Sequence, residues 1–114
     1  MKRLKFAAGA AFCALALGAV QDAAARGNAE SGKAKAAQVC AACHGADGAK
    51  PSAPDQPILA GQYYEYLIKA LSDYKSGKRN DPVMKGFATG LSKKDMEDLA
   101  AWFSSQKSSL HFQR

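Results

Sequence analysis

Apolar residues recur at helical spacing in two long stretches of this chain. Between Gln62 and Ser76 they follow an i, i+3, i+4, i+7 pattern, which predicts an amphipathic helix with apolar positions Tyr64, Leu67, Ile68, Leu71 and Tyr74. A second helix is expected from Ser92 to about Gln106, and Ser92 and Asp95 form a capping box at its start. The apolar stripe of this helix comprises Met96, Leu99, Ala100 and Phe103, with Trp102 beside it. No stretch alternates apolar and polar residues, so the pattern predicts an all-α fold.

The remaining segments carry a weaker helical pattern or many helix breakers. A first helix is predicted to lead from about Asn28 into a Cys-x-x-Cys-His pentapeptide at residues 40–44. Gly32 within this helix costs about 1 kcal/mol relative to Ala, which indicates close approach by another helix. Residues 45–62 are rich in Gly and Pro and are predicted to form a loop, and residues 78–90 are likewise predicted to be irregular.

The beginning of the chain has the pattern of a secretory signal peptide. Its first five residues include three basic ones, an uncharged apolar run of 15 residues follows at positions 6–20, and Ala23–Ala25 resembles a cleavage site. The run is shorter than the about 20 residues that span a bilayer, so an uncleaved anchor is the less favoured alternative and no stable membrane insertion is expected. The sequence therefore predicts a signal peptide over residues 1–25, cleavage after Ala25, and a periplasmic domain over residues 26–114.

The pentapeptide Cys40-Ala41-Ala42-Cys43-His44 is the sequence by which c-type haem is attached to protein. On a helix its two thiols and its imidazole share one face, so the thiols can meet the vinyl groups of a porphyrin while the imidazole reaches the iron. A zinc site would need four ligands, and elsewhere the chain has only Cys13 and His111. A thioredoxin-like dithiol would need a βαβ context, and a plain disulfide would leave His44 without a role. One covalent haem c is predicted.

The residue on the other face of the haem decides between electron transfer and ligand binding. A thioether there favours electron transfer at a raised potential, whereas an open position would bind small ligands or activate peroxide. Met84 is the favoured sixth ligand, since it is expected in a loop after His44. Met96 is expected to pack in the core, and the alternatives are His111, Lys85 and an open site.

Further haem contacts are expected from residues outside the pentapeptide. Ile58 and Leu59 follow a proline in the first loop and are predicted to form an apolar wall. Arg79, and with it Lys78, can pair with haem propionates, and a solvated basic patch is the alternative interpretation.

The chain is basic, with 16 Lys and Arg against 10 Asp and Glu and a formal net charge of +6. This balance suits transient docking on acidic patches of partner proteins, where complementary charge mainly raises the association rate. Nucleic-acid binding is not predicted, because the basic residues are dispersed along a chain that is expected to be exported.

These features together resemble class I cytochrome c, and more closely the small periplasmic monohaem proteins that are similar to one half of the dihaem respiratory cytochromes. The resemblance covers residues 28–106 and rests on Cys40–Gly45, Pro57–Gly61, Tyr66-Leu67, Asn80–Met84 and the segment from Gly90 through Gln106. It implies three to five helices wrapped around one haem, Met84 as distal ligand, and a Pro57 carbonyl that accepts a hydrogen bond from His44. It also implies that Gly32 crosses Leu99 and Trp102.

The function expected from these observations is one-electron transfer in the periplasm, without enzymatic activity. A cytochrome bc complex or a dehydrogenase is the expected donor, and a terminal oxidase or reductase the expected acceptor. The alternatives are a dedicated cytochrome subunit of a dehydrogenase or oxidase and, less favoured, a haem peroxidase or gas-binding protein with an open sixth site.

Overall fold

The computed structural model of this protein describes residues 26–108 and, apart from them, Gly9. This described part contains five helices and no strand, which confirms the predicted all-α class; the helices are α1 (Ala29–Val39), α2 (Ala41–His44), α3 (Tyr64–Ser76), α4 (Pro82–Thr89) and α5 (Lys93–Ser104). The predicted signal peptide, except for Gly9, and His111 lie outside the described residues. Inside them, none of the helices has the length and apolar character needed to cross a membrane.

Side-chain caps begin α1 and α5, whereas α3 begins at Tyr64 without one. The Asn28 side chain accepts a hydrogen bond from the Ser31 N–H at 2.9 Å at the start of α1. At α5 the capping box is complete, because Ser92 Oγ accepts from the Asp95 N–H and the Asp95 carboxylate accepts from the Ser92 N–H. Gly77 follows α3 with φ of 86°, a left-handed conformation that favours glycine.

The prediction that residues 78–90 are irregular is wrong, because most of this segment forms α4. Asp81 is the N-cap, and its carboxylate accepts hydrogen bonds from the Val83 and Met84 N–H groups, both at 3.0 Å. Pro82 lies in the first turn of α4, where a backbone N–H would have no partner within the helix, so proline costs no hydrogen bond there. Met84 therefore lies on a helix and not in a loop.

α1 and α5 cross at Gly32. A Cβ atom at Gly32 would lie 1.9 Å from the Asp98 carbonyl oxygen and 2.9 Å from Trp102 Cβ, so only glycine allows this approach. The close crossing accounts for a residue that is costly in a helix. The buried core beside it consists of Ala36, Leu67, Leu91, Met96, Leu99, Ala100 and Phe103.

A buried carboxylate ties the start of α1 to α5. Asp98 accepts hydrogen bonds from the Asn28 backbone N–H at 2.7 Å and from the Lys94 ammonium group. Burial by itself would raise the pKa of Asp98, but these two donors outweigh it and hold the pKa below its ordinary value. The stability that Asp98 contributes is therefore complete above the ordinary aspartate pKa and is lost as the pH falls through the depressed value.

Replacing Gly32 by Ala should destabilise the folded holoprotein by about 1–3 kcal/mol or more, because the added methyl group forces α1 and α5 apart. The matched control is Gly86→Ala in α4, where a Cβ would meet nothing within 4 Å. Its expected effect is a stabilisation of about 0.5–1 kcal/mol from helix propensity. Denaturant unfolding of both variants measures the difference, and equal stabilities would contradict the crossing.

Candidate haem site

The Cys-x-x-Cys-His pentapeptide forms one helical turn that starts where α1 ends. The Cys40 carbonyl accepts hydrogen bonds from the N–H groups of Cys43 at 3.2 Å and His44 at 3.0 Å. Cys40 and Cys43 are not joined in a disulfide, and the side chains of all three residues line one cavity between the helices. Burial raises the pKa of the Cys40 thiol to about 11, so this thiol is protonated at neutral pH.

His44 is buried with one ring nitrogen engaged. His44 is only 6% exposed, and its Nδ1 lies 2.9 Å from the Pro57 carbonyl oxygen. A carbonyl can only accept, so Nδ1 carries the proton and donates it in this hydrogen bond. The remaining nitrogen, Nε2, is then the unprotonated one that can ligate a metal.

The loop that carries Pro57 is fastened to α5. Gly48 O accepts hydrogen bonds from the N–H groups of Leu59 at 2.8 Å and Ala60 at 3.2 Å, and Gly61 N–H donates to Phe103 O at 2.9 Å. A Cβ atom at Gly48, which has φ of 75°, would lie 2.7 Å from the Phe103 ring. The loop therefore packs directly on α5, which fixes the carbonyl that orients His44.

The cavity has a volume of about 520 Å³ and is walled mainly by apolar side chains. Ile58 and Leu59, expected as an apolar wall, both line it. Their counterparts from the helices are Leu67, Leu71, Leu91, Leu99 and Phe103.

Met84 lines the same cavity as His44. Its place at the start of α4 is set by the bond between its own N–H and Asp81. Met96, in contrast, is 7% exposed within the core cluster, and its sulfur lies 3.8 Å from Ser72 Oγ. Among the methionines of residues 26–108, Met84 is thus the one whose side chain borders the cavity.

Arg79 also lines the cavity, whereas the neighbouring Lys78 does not. Arg79 Nη1 donates to the Tyr66 hydroxyl at 3.3 Å, and its guanidinium lies 4.8 Å from the centre of the Tyr74 ring. The hydrogen bond with Tyr66 is the main cause that raises the pKa of Arg79 above its ordinary value. The sequence predicts Arg79 as a haem contact, but no local pattern links it to Tyr66 or Tyr74.

The donor set in this cavity fits haem c. Two thiols three residues apart, a buried imidazole and a thioether border one space whose volume is typical of cofactor pockets. Within the described part of the chain, no three His, Cys, Asp or Glu side chains converge so that they could hold a metal ion by themselves. Helical fold and site together define a small c-type cytochrome domain.

Comparison with known proteins assigns the chain to a family. The cytochrome c family model matches residues 29–107, and the chain belongs to this family. It is 53% identical over 96 residues to cytochrome c4 of Pseudomonas aeruginosa, an alignment that covers 84% of this chain and 47% of the relative. It is also 42% identical over 72 residues to a thiosulfate dehydrogenase electron acceptor of Stutzerimonas stutzeri, which covers 63% of this chain and 33% of that protein.

A solved structure has the same fold. The crystal structure of reduced recombinant cytochrome c4 from Pseudomonas stutzeri superposes with a TM-score of 0.67 at 46% identity, covering 74% of this chain and 48% of that one. The chain spans about half the length of the cytochrome c4 proteins it matches. The class I cytochrome c fold is thereby confirmed, the family carries covalent haem c, and Cys40 and Cys43 have the spacing for its attachment.

Protein prepared free of haem should be largely unfolded, because a domain this small has little core beyond the side chains that border the cavity. Cys40→Ser/Cys43→Ser protein, purified without haem, provides the sample. Far-UV circular dichroism should show a large loss of helix relative to the holoprotein, and its amide NMR signals should be poorly dispersed. A well-dispersed spectrum would refute this expectation.

Proposed function

We propose that this chain is a periplasmic one-electron carrier in which His44 and Met84 are the two axial ligands of a haem c bound through Cys40 and Cys43. The haem supplies the Fe(II)/Fe(III) couple. The observation that carries the proposal is the single cavity bordered by the buried imidazole of His44, with its Nδ1 held by Pro57, and by the thioether of Met84.

The residues of the chain bind the haem and shield it from water. None of them needs to transfer a proton or attack a substrate. The Pro57 carbonyl holds the His44 ring in one tautomer and one orientation, which leaves Nε2 as the ligating nitrogen. Met84 lies on the capped helix α4, which restricts the movement of its backbone. Apolar walls keep water out, which lowers the cost of reorganisation when the charge changes. A His/Met pair of ligands gives a raised potential.

Met84→Ala should abolish the ferric absorption band of methionine sulfur on iron and lower the reduction potential, because the thioether no longer closes the sixth position. Met96→Leu is the matched control, since Met96 packs in the core and should leave the band in place. Visible spectroscopy of the two ferric holoproteins decides between them. A wild-type protein without the band would contradict the ligation and would leave His111, Lys85 or an open site of the peroxidase or gas-binding kind as the alternatives.

The expected partners are redox proteins with acidic docking surfaces, such as a cytochrome bc complex or dehydrogenase as donor and a terminal oxidase or reductase as acceptor. The described residues contain five ion pairs, and neither Lys50 nor Lys85 takes part in one. These two exposed lysines are therefore proposed to guide a partner towards the haem edge. The relative named thiosulfate dehydrogenase electron acceptor favours a dehydrogenase as one partner, either transient or permanent.

Electron exchange with an anionic reagent such as ferricyanide should slow as ionic strength rises, because salt screens the attraction of the basic surface. Lys85→Gln should weaken this salt dependence. Lys69→Gln, which removes the same charge from an ion pair with Asp73, should weaken it less. Stopped-flow rates over a range of salt concentrations provide the test, and rates indifferent to salt would argue against steering.

A dedicated subunit would instead co-elute with its dehydrogenase on gel filtration of native extract.

A further inference from the structure

The backbone of Arg79 turns back onto the helix that precedes it. Gly77 ends α3 in the left-handed conformation, with φ of 86°. Two residues later the Arg79 N–H donates to the Asp73 carbonyl at 3.1 Å, within the last turn of α3. Arg79 is thus anchored by its main chain at the end of α3.

The side chain of Arg79 then runs back along α3. Its guanidinium lies 4.8 Å from the centre of the Tyr74 ring, and Nη1 reaches the Tyr66 hydroxyl at 3.3 Å. Tyr66 and Tyr74 are two turns apart, about 12 Å along a helix axis, so the arginine is extended over the helix surface. A ring face and a hydroxyl together hold a side chain that would otherwise sample many rotamers.

Arg79 forms no ion pair with a carboxylate among residues 26–108, although the charge of Asp73 acts on it from a greater distance. The ion pairs there involve Arg26, Lys35, Lys69, Lys93 and Lys94, and not Arg79. The carboxylates nearest in sequence are occupied otherwise, since Asp73 pairs with Lys69 and Asp81 caps α4. The Tyr66 hydroxyl accepts from one N–H of a guanidinium that has five to offer. Arg79 and both tyrosines line the haem cavity.

We propose that Tyr66 and Tyr74 are positioning residues that hold the Arg79 guanidinium at the haem cavity as a fixed positive charge for the haem carboxylates, and so raise the reduction potential. The inference rests on the proposed function. Oxidised iron carries one more positive charge than reduced iron, so a cation held nearby disfavours oxidation. A planar guanidinium suits a carboxylate, and holding it in advance avoids the entropy cost of ordering it.

The test is the midpoint potential of the holoprotein in a series of variants. Arg79→Gln should lower the potential, and Tyr66→Phe and Tyr74→Leu should each lower it by a smaller amount, because the charge remains but is no longer held. In the Arg79→Gln background, Tyr66→Phe should add no further shift, since its effect is exerted through the arginine. A merely structural role would not make the effect of one residue depend on the other.

Two controls make the series specific. Lys78→Gln removes the same charge from an adjacent residue that does not line the cavity, and it should shift the potential less than Arg79→Gln. Tyr63→Phe removes the hydroxyl of an exposed tyrosine that does not line the cavity and should leave the potential unchanged. Arg79→Lys keeps the charge but lacks the planar fork, and it should give an intermediate potential. Should Arg79→Gln fail to bind haem, Arg79→Met takes its place in the series, because it also removes the charge.

The outcomes that overturn the inference are distinct from those that overturn the proposed function. Wild-type potentials in Tyr66→Phe and Tyr74→Leu would show that the tyrosines position nothing, and equal shifts from Lys78→Gln and Arg79→Gln would show that placement at the cavity is irrelevant. Either result refutes the inference while the methionine–iron band persists. Absence of that band from wild-type protein refutes the proposed function before any variant is compared.

Discussion

The hydrogen bond from His44 Nδ1 to the Pro57 carbonyl is the interaction on which the arrangement of this domain depends. The donor, His44, is the last residue of α2, which directly follows α1. The acceptor, Pro57, belongs to a loop that is hydrogen-bonded to α5. Donor and acceptor can meet only if α1 and α5 hold a fixed relative position. The crossing at Gly32, where α1 touches the α5 backbone, supplies that constraint. Gly32, which does not line the cavity, thereby governs the geometry of the proposed ligand.

Met84 reaches the cavity from a different kind of element. Met84 is not brought in by a flexible loop but stands in the first turn of a helix, capped by Asp81 and begun by Pro82. Helix dihedrals leave a side chain few directions, so the backbone restricts where the thioether can lie. His44 and Met84 thus both reach the cavity from helical segments, which suits the proposed carrier, whose ligands should not move when the electron does.

Much of this architecture follows from local sequence patterns. Periodicity predicts α3 and α5, the Ser92–Asp95 box predicts where α5 begins, and the pentapeptide predicts the cofactor. α4 was missed because Asp-Pro begins turns as well as helices and two glycines nearby suggested breaks. Contacts between distant residues had no such signal. The hydrogen bond from Trp102 Nε1 to the Ala46 carbonyl joins positions 56 apart in the chain. The contacts of Tyr66 and Tyr74 with Arg79 depend on the turn after α3, which brings Arg79 back onto that helix.

The most direct test of the central claim is the intact mass of the exported, purified protein, followed by the mass of its proteolytic peptides. The account predicts a chain that carries the mass of one haem, with all of that added mass on the peptide that contains Cys40 and Cys43. A colourless protein whose mass equals that of the bare polypeptide would contradict it.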